Sequence, residues 1–507
     1  MKTLYRMINA LTLILLSIAL FFSLQSSTFT FFGLSRTLYA LILLTIPVAF
    51  LLLVFPPVDL FKRIWQFIKN NNNIIFWLIF SLLVVMQLVL VNTFKIDVTS
   101  DANIILTALD HPSRLSNYLS LNSNNSFYFF LSYFLSKIFG TNLIVFEIYA
   151  IVSLDLSVIF LKLATHKYFG SRSIANVVTL IFAYFTMLQP IFVLTYTDTF
   201  VLPFVNLTIL LIVLAFNDSK AKYLFMVLAG ISTSIAYLLK PSAIIFLIAL
   251  IIFFVISKRA FLGKVNGIRT VLLLLMTLFL TGTISTYAAN RYMDTQTIVK
   301  IDKSKSFPIV HYALLGSFGD PNDKNSLHGT FNNGDLSIAL KAHNKTARTK
   351  AELNELISRS HHRGIIESFK FYMAKFSDNM DTGVVGFHRE QLWSIVTKLA
   401  PKNSINGHIE KIFYDREQQP GNLLSWSSTF LFLLQLIWLV ILSSAIYAIW
   451  KYRESDKITL VSLSLLGGML FLLIFESGGT KYMLQYTPFI SVLAGFGLYN
   501  LLTQKHS

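Results

Sequence analysis

The stretch IIFWLIFSLLVVMQLVLVNTF, residues 74–94, has no charged side chain and is long enough to cross a lipid bilayer as one α-helix. It runs directly into KIDVTSDANIILTALDHP, residues 95–112, which carries the carboxylates of Asp97, Asp101 and Asp110. Together the two stretches predict a membrane span that ends at an acidic loop. Apolar runs of this length, separated by short polar segments, recur along the whole chain and decide the fold class.

The composition of the whole chain indicates that lipid is its main solvent. Of the 507 residues, 54% are hydrophobic and 13% are charged, against about 25% charged residues in an average soluble protein. We therefore expect an all-α polytopic membrane protein with about twelve transmembrane helices. The predicted spans cover residues 8–24, 37–55, 74–94, 142–164, 173–193, 199–216, 222–239, 242–257, 268–288, 426–449, 458–475 and 484–502.

The net charge of +17 indicates how the chain is oriented. Short basic loops follow the positive-inside pattern, and with twelve spans they all fall on the cytoplasmic side together with the N- and C-termini. The expected partners of this charge are anionic membrane lipids and not nucleic acid. We expect a multi-pass protein of the cell membrane. The basic loops are residues 61–69, 166–172, 218–223, 257–269 and 451–457.

This topology divides the chain into three regions. Residues 1–288 form an N-terminal transmembrane module whose acidic outward loop is 95–141, residues 289–425 form an extracytoplasmic segment, and residues 426–507 form C-terminal transmembrane helices. The apolar stretch 126–140 is too short for a span. Counting it as one would also reverse the side of every later loop, so we expect an interfacial helix on the outer leaflet.

The acidic loop supplies the first candidate site residues. Asp97 and Asp101 are four residues apart, so a short helix places both carboxylates on one side. Such a pair acts as a base or as a ligand for a divalent cation, unless the two are simply solvated loop acids.

Three later outward turns supply the other candidates. Lys240 precedes Pro241 at headgroup depth, where it binds a lipid phosphate or only extends its charge to water. Asp198 contributes to a site or forms an ordinary turn. The remaining candidates are Tyr196 in the same turn as Asp198, and Glu476, Lys481 and Tyr482 in a turn near the C-terminus, which contact a cation or a phosphate or form a salt-bridged cap.

Several classes of site are excluded by the residues present. The chain has no cysteine, so it has neither disulfides nor thiolate metal sites. The histidines show no spacing typical of zinc, and no Gly-rich phosphate loop, serine nucleophile elbow or HExxH motif is present. The sequence assigns no metal-binding residue.

Four stretches, taken in order, resemble the GT-C superfamily of membrane glycosyltransferases. The resemblance is to Gram-positive relatives of the dolichyl-phosphate mannosyltransferases and the lipid A aminoarabinose transferases. Ala102 stands where relatives have a second acid beside Asp101, so the resemblance leaves a divalent metal open and requires no other cofactor. The four stretches are SLNSNNSFYFFLSYFLSKIFGTN, QPIFVLTYTDTFVLPF, LLKPSAIIFLIALII and FESGGTKYMLQYTPFISVLAGFGL.

The resemblance implies a GT-C-like fold and a glycosyltransferase that uses a polyprenyl-phosphate-sugar donor. The acceptor would be a cell-envelope glycan or glycolipid at the outer face of the membrane. Asp101, matched by SDANIILTAL, would be the general base, with Asp97 as the second acid. Lys240, Lys481 and Arg389 would stabilise the departing lipid phosphate. Tyr196, Asp198, Glu476 and Tyr482 would complete the substrate-binding residues.

A transporter or lipid flippase for envelope precursors is the main alternative. Such a protein needs charged groups that line a path through its spans. Asp155 and Glu147 lie within a predicted span, where a carboxylate is costly and marks a function or a structural hydrogen bond. The other charged candidates lie at one face of the membrane, which favours chemistry at that face.

Overall fold

The computed structural model describes residues 2–26, 70–93, 95–96, 100–217, 220–257, 267–323, 327–386, 396–398, 401, 403–413 and 426–503. The predicted span 37–55 and the candidate residues Asp97 and Arg389 lie outside these ranges. The α-helices are α1 (Lys2–Leu24), α2 (Asn72–Thr93), α3 (Ser100–Leu106), α4 (Ser116–Leu121), α5 (Ser126–Phe139), α6 (Leu143–Phe169), α7 (Arg172–Thr186), α8 (Thr197–Phe200), α9 (Leu202–Asn217), α10 (Lys222–Leu239), α11 (Ile245–Ser257), α12 (Ile268–Thr295), α13 (Ile309–Gly316), α14 (Asn333–Lys341), α15 (Lys345–Met380), α16 (Ile405–Phe413), α17 (Trp426–Lys451), α18 (Asp456–Phe475) and α19 (Thr487–Thr503). Two short strands, β1 (Lys95–Ile96) and β2 (Val396–Lys398), pair antiparallel. Short 3₁₀ helices cover Pro112–Leu115, Ser123–Asn125, Pro190–Val193, Pro241–Ile244, Lys303–Lys305 and Thr480–Tyr486.

The prediction of a polytopic, essentially all-α membrane protein is confirmed. Within the described residues, eight helices are long and apolar enough to cross a membrane. Three further predicted spans correspond to the shorter helices α7, α11 and α19. Those eight helices span Lys2–Leu24, Asn72–Thr93, Leu143–Phe169, Thr197–Asn217, Lys222–Leu239, Ile268–Thr295, Phe430–Lys451 and Asp456–Phe475.

Prolines explain why two of the predicted spans end early or begin late. Helix α7 ends at Thr186, ahead of the 3₁₀ helix that starts at Pro190, whereas the apolar pattern continues to residue 193. Helix α10 ends at Leu239 as predicted, and Pro241 starts another 3₁₀ helix. Helix α11 therefore begins at Ile245, later than the predicted residue 242. Proline has no backbone N–H to donate to the preceding turn, so it ends one helix and starts the next.

The spans pack as one continuous body. Helices α12, α10, α9, α6, α7, α19, α17, α1 and α18 contact one another in that order, and α11 packs on α18. The first helix is therefore held by the last ones, and Asn9 on α1 donates to Thr459 Oγ1 on α18 over 2.8 Å. Most of the buried apolar side chains of these helices belong to one hydrophobic cluster.

Part of the segment predicted to be extracytoplasmic, residues 289–425, enters this body. Helix α12 continues to Thr295, and the C-terminal end of α15 buries Phe376 and Met380 in the cluster of the spans. The non-helical residues 381–386 that follow are also buried. Their backbone is paired by side chains of the spans, for example Gln189, which donates to Gly383 O and accepts from the N–H of Val385. A non-helical backbone is tolerated among spans only when it is paired inside the protein in this way.

Helix α5, residues Ser126–Phe139, has 14 residues and does not qualify as a span within the described part of the chain. One of its faces buries Tyr128 and Phe129 in a second hydrophobic cluster, with Phe200 of the neighbouring turn. Its other face leaves Phe134 and Ile138 exposed. This two-sided pattern suits the interfacial position expected from the sequence.

The crossing of α10 and α12 depends on Gly230, which faces Gly282. A Cβ added at Gly230 would lie 2.7 Å from Leu278 O and 2.9 Å from the backbone nitrogen of Gly282. Small residues permit such a close approach of two helices in a membrane. A Cβ at Gly282 would meet nothing closer than Gly230 O at 3.4 Å, which is an ordinary contact.

We predict that Gly230→Ala destabilises the protein whereas Gly282→Ala does not. The added methyl group at residue 230 meets backbone atoms that cannot rotate away, and overpacking of this kind costs about 1–3 kcal/mol. The measurement is the midpoint of thermal unfolding of each purified variant in the same detergent. Equal midpoints for the two variants would contradict the close crossing.

Candidate functional site

The turn between α7 and α8 holds Tyr196 and Asp198 in place. Tyr128 on α5 donates its hydroxyl to Thr195 O over 2.5 Å, and its ring packs edge-on against Tyr196 with the centroids 5.2 Å apart. Thr199 Oγ1 donates back to Leu194 O over 2.6 Å. The interfacial helix and the turn therefore form one unit, which fixes both candidate side chains.

Lys240 lies between two carboxylates from different turns. Its ammonium forms an ion pair with Asp198 Oδ1 and lies 3.9 Å from Glu476 Oε1. The side chains of Lys240 and Asp198 are only 9% and 3% exposed. Burial acts to lower the pKa of Lys240, but Asp198 and Glu476 outweigh it and raise the pKa above its ordinary value. Lys240 therefore remains protonated. Its contacts with Asp198 and Glu476 join the ends of three spans.

The turn after α18, residues 476–482, is held by residues of the 289–425 segment. The N–H of Gly478 donates to His328 O over 2.6 Å, and the N–H of Gly479 donates to Asn379 Oδ1 over 3.0 Å. A Cβ at Gly478 would lie 2.7 Å from Asp378 Oδ2, so only glycine fits there. Burial raises the pKa of the Glu476 carboxyl, and Lys240 opposes this rise.

Two cations share the ring of Tyr482 at the end of this turn. The ammonium of Lys240 lies 5.2 Å from the ring centroid and that of Lys481 lies 5.0 Å from it. Both distances are within the range of cation–π attraction. Burial raises the pKa of Tyr482, so the phenol remains neutral beside both charges.

Asp101 is the centre of a hydrogen-bonded group on the same side of the protein. Its Oδ2 lies 3.1 Å from the hydroxyl of Tyr196 and 3.4 Å from Nδ2 of Asn125. Asn125 Nδ2 also donates to the hydroxyl of Tyr118 over 2.7 Å. Burial raises the pKa of Tyr196 well above its ordinary value, and the charge of Asp101 adds to this rise. Tyr196 therefore keeps its proton, and its hydroxyl lies within hydrogen-bond distance of two acceptors, Asp101 Oδ2 at 3.1 Å and Asn125 Oδ1 at 2.9 Å.

Two tyrosines connect the Asp101 group to the Lys240 group. Tyr196 contacts Asp101 directly, and the charge of Asp198 also contributes to the high pKa of its hydroxyl. Tyr312 on α13 has its pKa raised by burial first, and then by the charges of Asp101 and Glu476. The acidic loop and the three later turns therefore come together at one end of the spans.

Most of the candidates from the sequence thus lie in one region. Asp97 and Arg389 lie outside the described residues. Asp110 is not part of the group, and its Oδ2 accepts from Thr141 Oγ1 over 3.4 Å. The candidates brought together are Asp101, Tyr196, Asp198, Lys240, Glu476, Lys481 and Tyr482.

Sequence reasoning missed the supporting residues Tyr118, Asn125 and Tyr312. The polar run SLNSNNS contains Asn125, but its composition indicates only a loop. Asn124 of the same run accepts from the hydroxyl of Tyr312 over 2.9 Å, which joins the acidic loop to the extracytoplasmic segment. Such contacts join residues far apart in the chain, so no local pattern identifies them.

A second residue that no pattern identifies is Lys375 on α15. It is 0% exposed, and its Nζ donates to Gly316 O over 2.6 Å and to Leu473 O over 2.9 Å. Burial lowers the pKa of Lys375 to about 7, and Glu476 opposes this effect. A neutral amine has two N–H groups, which match the two carbonyls.

The described residues offer no grouped set of metal ligands. Among them, no three His, Cys, Asp or Glu side chains lie close enough to hold a metal ion. What the arrangement offers instead is a partly exposed carboxylate, Asp101, beside neutral hydrogen-bond donors, and a buried cation, Lys240. A carboxylate of this kind accepts a proton, and cations at the membrane surface attract phosphate.

We predict that Lys240→Met lowers the thermal stability far more than Asp198→Asn. Removal of the lysine leaves the carboxylates of Asp198 and Glu476 without their shared cation, and an unpaired buried charge costs about 3–5 kcal/mol. Asp198→Asn leaves the pair of Lys240 and Glu476 intact. The midpoints of thermal unfolding of the two purified variants test this. An equal loss in both would show that Glu476 does not compensate Lys240.

We predict that Lys375 makes the stability depend on pH. The pKa of Lys375 is about 7 in the folded protein, below its ordinary 10.5, so the unfolded chain binds more protons between these values. The stability should therefore rise with pH from 7 to 10.5. Lys375→Met should reduce that rise, whereas Lys370→Met, which removes a half-exposed lysine of the same helix, should preserve it. Parallel pH profiles for wild type and Lys375→Met would contradict the prediction.

Comparison with known proteins identifies the family of this chain. No curated protein sequence matches the chain. Two solved structures are similar at low levels. One is the archaeal oligosaccharyltransferase AglB from Archaeoglobus fulgidus, in complex with an inhibitory peptide and a dolichol-phosphate; it has 13% identity and a TM-score of 0.38, and the match covers 84% of this chain and 50% of that one. The other is ArnT from Cupriavidus metallidurans bound to undecaprenyl phosphate; it has 12% identity and a TM-score of 0.30, and the match covers 84% of this chain and 77% of that one. The chain thus spans about half the length of the AglB chain. A family model described as "conserved hypothetical integral membrane protein" matches residues 1–500, and the chain therefore belongs to this family of integral membrane proteins.

Proposed function

We propose that the protein is a glycosyltransferase that moves a sugar from a polyprenyl-phosphate donor to a cell-envelope glycan or glycolipid. The reaction would take place at the outer face of the membrane. The observation that carries the proposal is the meeting of Asp101 with the Lys240 group at one end of the spans, through Tyr196. This meeting brings a proton acceptor and cations to the depth of lipid headgroups.

Asp101 is the general base in this proposal. Its carboxylate takes the proton of the acceptor hydroxyl while that oxygen attacks the anomeric carbon of the donor sugar. The bond between the anomeric carbon and the phosphate oxygen breaks, and its electron pair leaves with the lipid phosphate. Tyr196 and Asn125 hold Oδ2 of Asp101, so the other carboxylate oxygen, Oδ1, is the one assigned to the acceptor.

The departing phosphate is assigned to Lys481 and Lys240. Asp198 and Glu476 hold the ammonium of Lys240, and Lys481 lies against the same ring of Tyr482, so both cations have fixed positions in the turn. Cations fixed where negative charge develops lower the barrier to its formation.

We predict that Asp101→Asn abolishes the transfer and that Asp110→Asn does not. Both changes remove one carboxylate from the acidic loop, but only Asp101 contacts Tyr196 and Asn125. Because general-base catalysis contributes about 10²–10⁴-fold, the product should fall below detection. The measurement is mass spectrometry of the envelope glycopolymers and glycolipids from strains that carry each variant. Unchanged glycans with Asp101→Asn, in a strain where the protein is inserted normally, would overturn the proposal.

One observation favours the alternative of a transporter or flippase. Asp155 on α6 lies beside Gln87 on α2. Gln87 is 0% exposed, so this carboxylate has a buried polar neighbour inside the spans. Ionisable side chains inside spans are costly, and ion and substrate paths use them. If Asp155→Asn removes the envelope product as completely as Asp101→Asn does, this alternative gains over the transferase.

A further inference from the structure

A basic cleft lies at the end of the spans opposite the candidate site. The turn between α17 and α18, residues 450–455, lines a cleft of about 490 Å³. Helix α18 connects this turn to Glu476 at its other end, so the cleft and the candidate site are separated by the length of one span. No step of the proposed transfer uses these residues.

The cleft has an excess of positive charge. Glu454 pairs with both Lys2, at 3.1 Å, and Arg6, at 2.5 Å, so one carboxylate faces two cations. Lys451 and Arg453 are exposed and add two more cations, with no ion pair to either in the part of the chain that the structure describes. The cleft therefore offers an anion two cations, Lys451 and Arg453, that pair with no carboxylate among the described residues.

The backbone of the turn is fixed before any ligand binds. Asn9 on α1, which is 1% exposed, donates to Arg453 O over 2.9 Å. On the other side, Lys457 donates to Tyr168 O over 2.5 Å, and the hydroxyl of Tyr168 donates to Lys457 O over 3.1 Å. A rigid frame of this kind lowers the ordering cost of binding.

The position of the turn indicates the source of the anion. Trp450, next to the two unpaired cations, is 57% exposed at the end of a span, and tryptophan at a span end favours the headgroup layer of the membrane. Basic pockets between spans on the cytoplasmic side bind anionic lipid headgroups. We propose that this cleft binds the phosphate headgroup of an anionic phospholipid through Lys451 and Arg453.

The test is lipid retention by the full chain, purified in a neutral detergent and measured by native mass spectrometry. Phosphatidylglycerol and phosphatidylcholine with the same acyl chains are added in equal amounts. The wild type should retain phosphatidylglycerol preferentially. The double variant Lys451→Gln, Arg453→Gln should lose roughly thirty-fold in that preference, because each cation near a membrane surface contributes about fivefold.

Two further variants separate a headgroup site from a general effect of charge. Lys167→Gln with Arg269→Gln removes two exposed cations from the same membrane face outside the cleft, and this variant should keep the wild-type preference. Lys451→Arg with Arg453→Lys conserves the charge and should also keep it. An equal loss in the variant Lys167→Gln, Arg269→Gln would overturn the proposal. So would an unchanged preference in the variant Lys451→Gln, Arg453→Gln.

An added arm distinguishes the lipid from free phosphate. Excess inorganic phosphate should not displace phosphatidylglycerol, because the membrane-facing Trp450 favours an occupant with acyl chains. Complete displacement by inorganic phosphate would overturn the assignment to a lipid. None of these results depends on whether the protein transfers a sugar.

Discussion

The ammonium of Lys240 lies between the carboxylates of Asp198 and Glu476, and the arrangement of the spans depends on this contact. An unpaired charge at the edge of a bilayer costs several kcal/mol, so the turns after α7, α10 and α18 must meet. Helices next to these turns also contact one another: α9 packs on α10, α11 on α18 and α7 on α19. Asp198 lies in the same turn as Tyr196, which contacts Asp101, so stability and the proposed chemistry involve neighbouring residues.

The coupling between the spans and the described part of residues 289–425 has the same physical origin. Residues 381–386 have no helix of their own to satisfy their backbone, so Gln189 and other side chains of the spans do so. Lys375 joins Gly316 O to Leu473 O in the same manner. A segment held through its own polar backbone is not an independent cap on the membrane part.

The sequence predicted the structure well wherever a local pattern of residues determines it. Each predicted span that the structure describes is mainly helical, and the lysine before Pro241 lies between two helices, as the proline predicted. Because of the prolines, the predicted ends of the spans were less accurate. Helix α7, for example, stops at Thr186, before the apolar pattern does. A hydrophobicity pattern does not register the missing N–H of a proline.

The supporting residues of the site were not predictable in this way. Tyr118 and Tyr312 resemble many other tyrosines of the chain, and only tertiary contact places them around Asp101 and Asn124. Lys375 lies in a polar, lysine-rich segment whose composition suggests exposure, yet the structure buries it completely. Burial of a polar side chain depends on partners remote in the sequence, and these become visible only in the folded chain.

The glycine crossing of α10 and α12 has a consequence for the geometry across the membrane. Gly230 precedes Lys240 by ten residues on the same helix, which corresponds to about 15 Å of rise, or half the thickness of the hydrocarbon layer. Because Gly230 fits only against one short stretch of α12, the helix cannot slide along its neighbour. The crossing near the bilayer midplane therefore fixes the height of Lys240 above that plane.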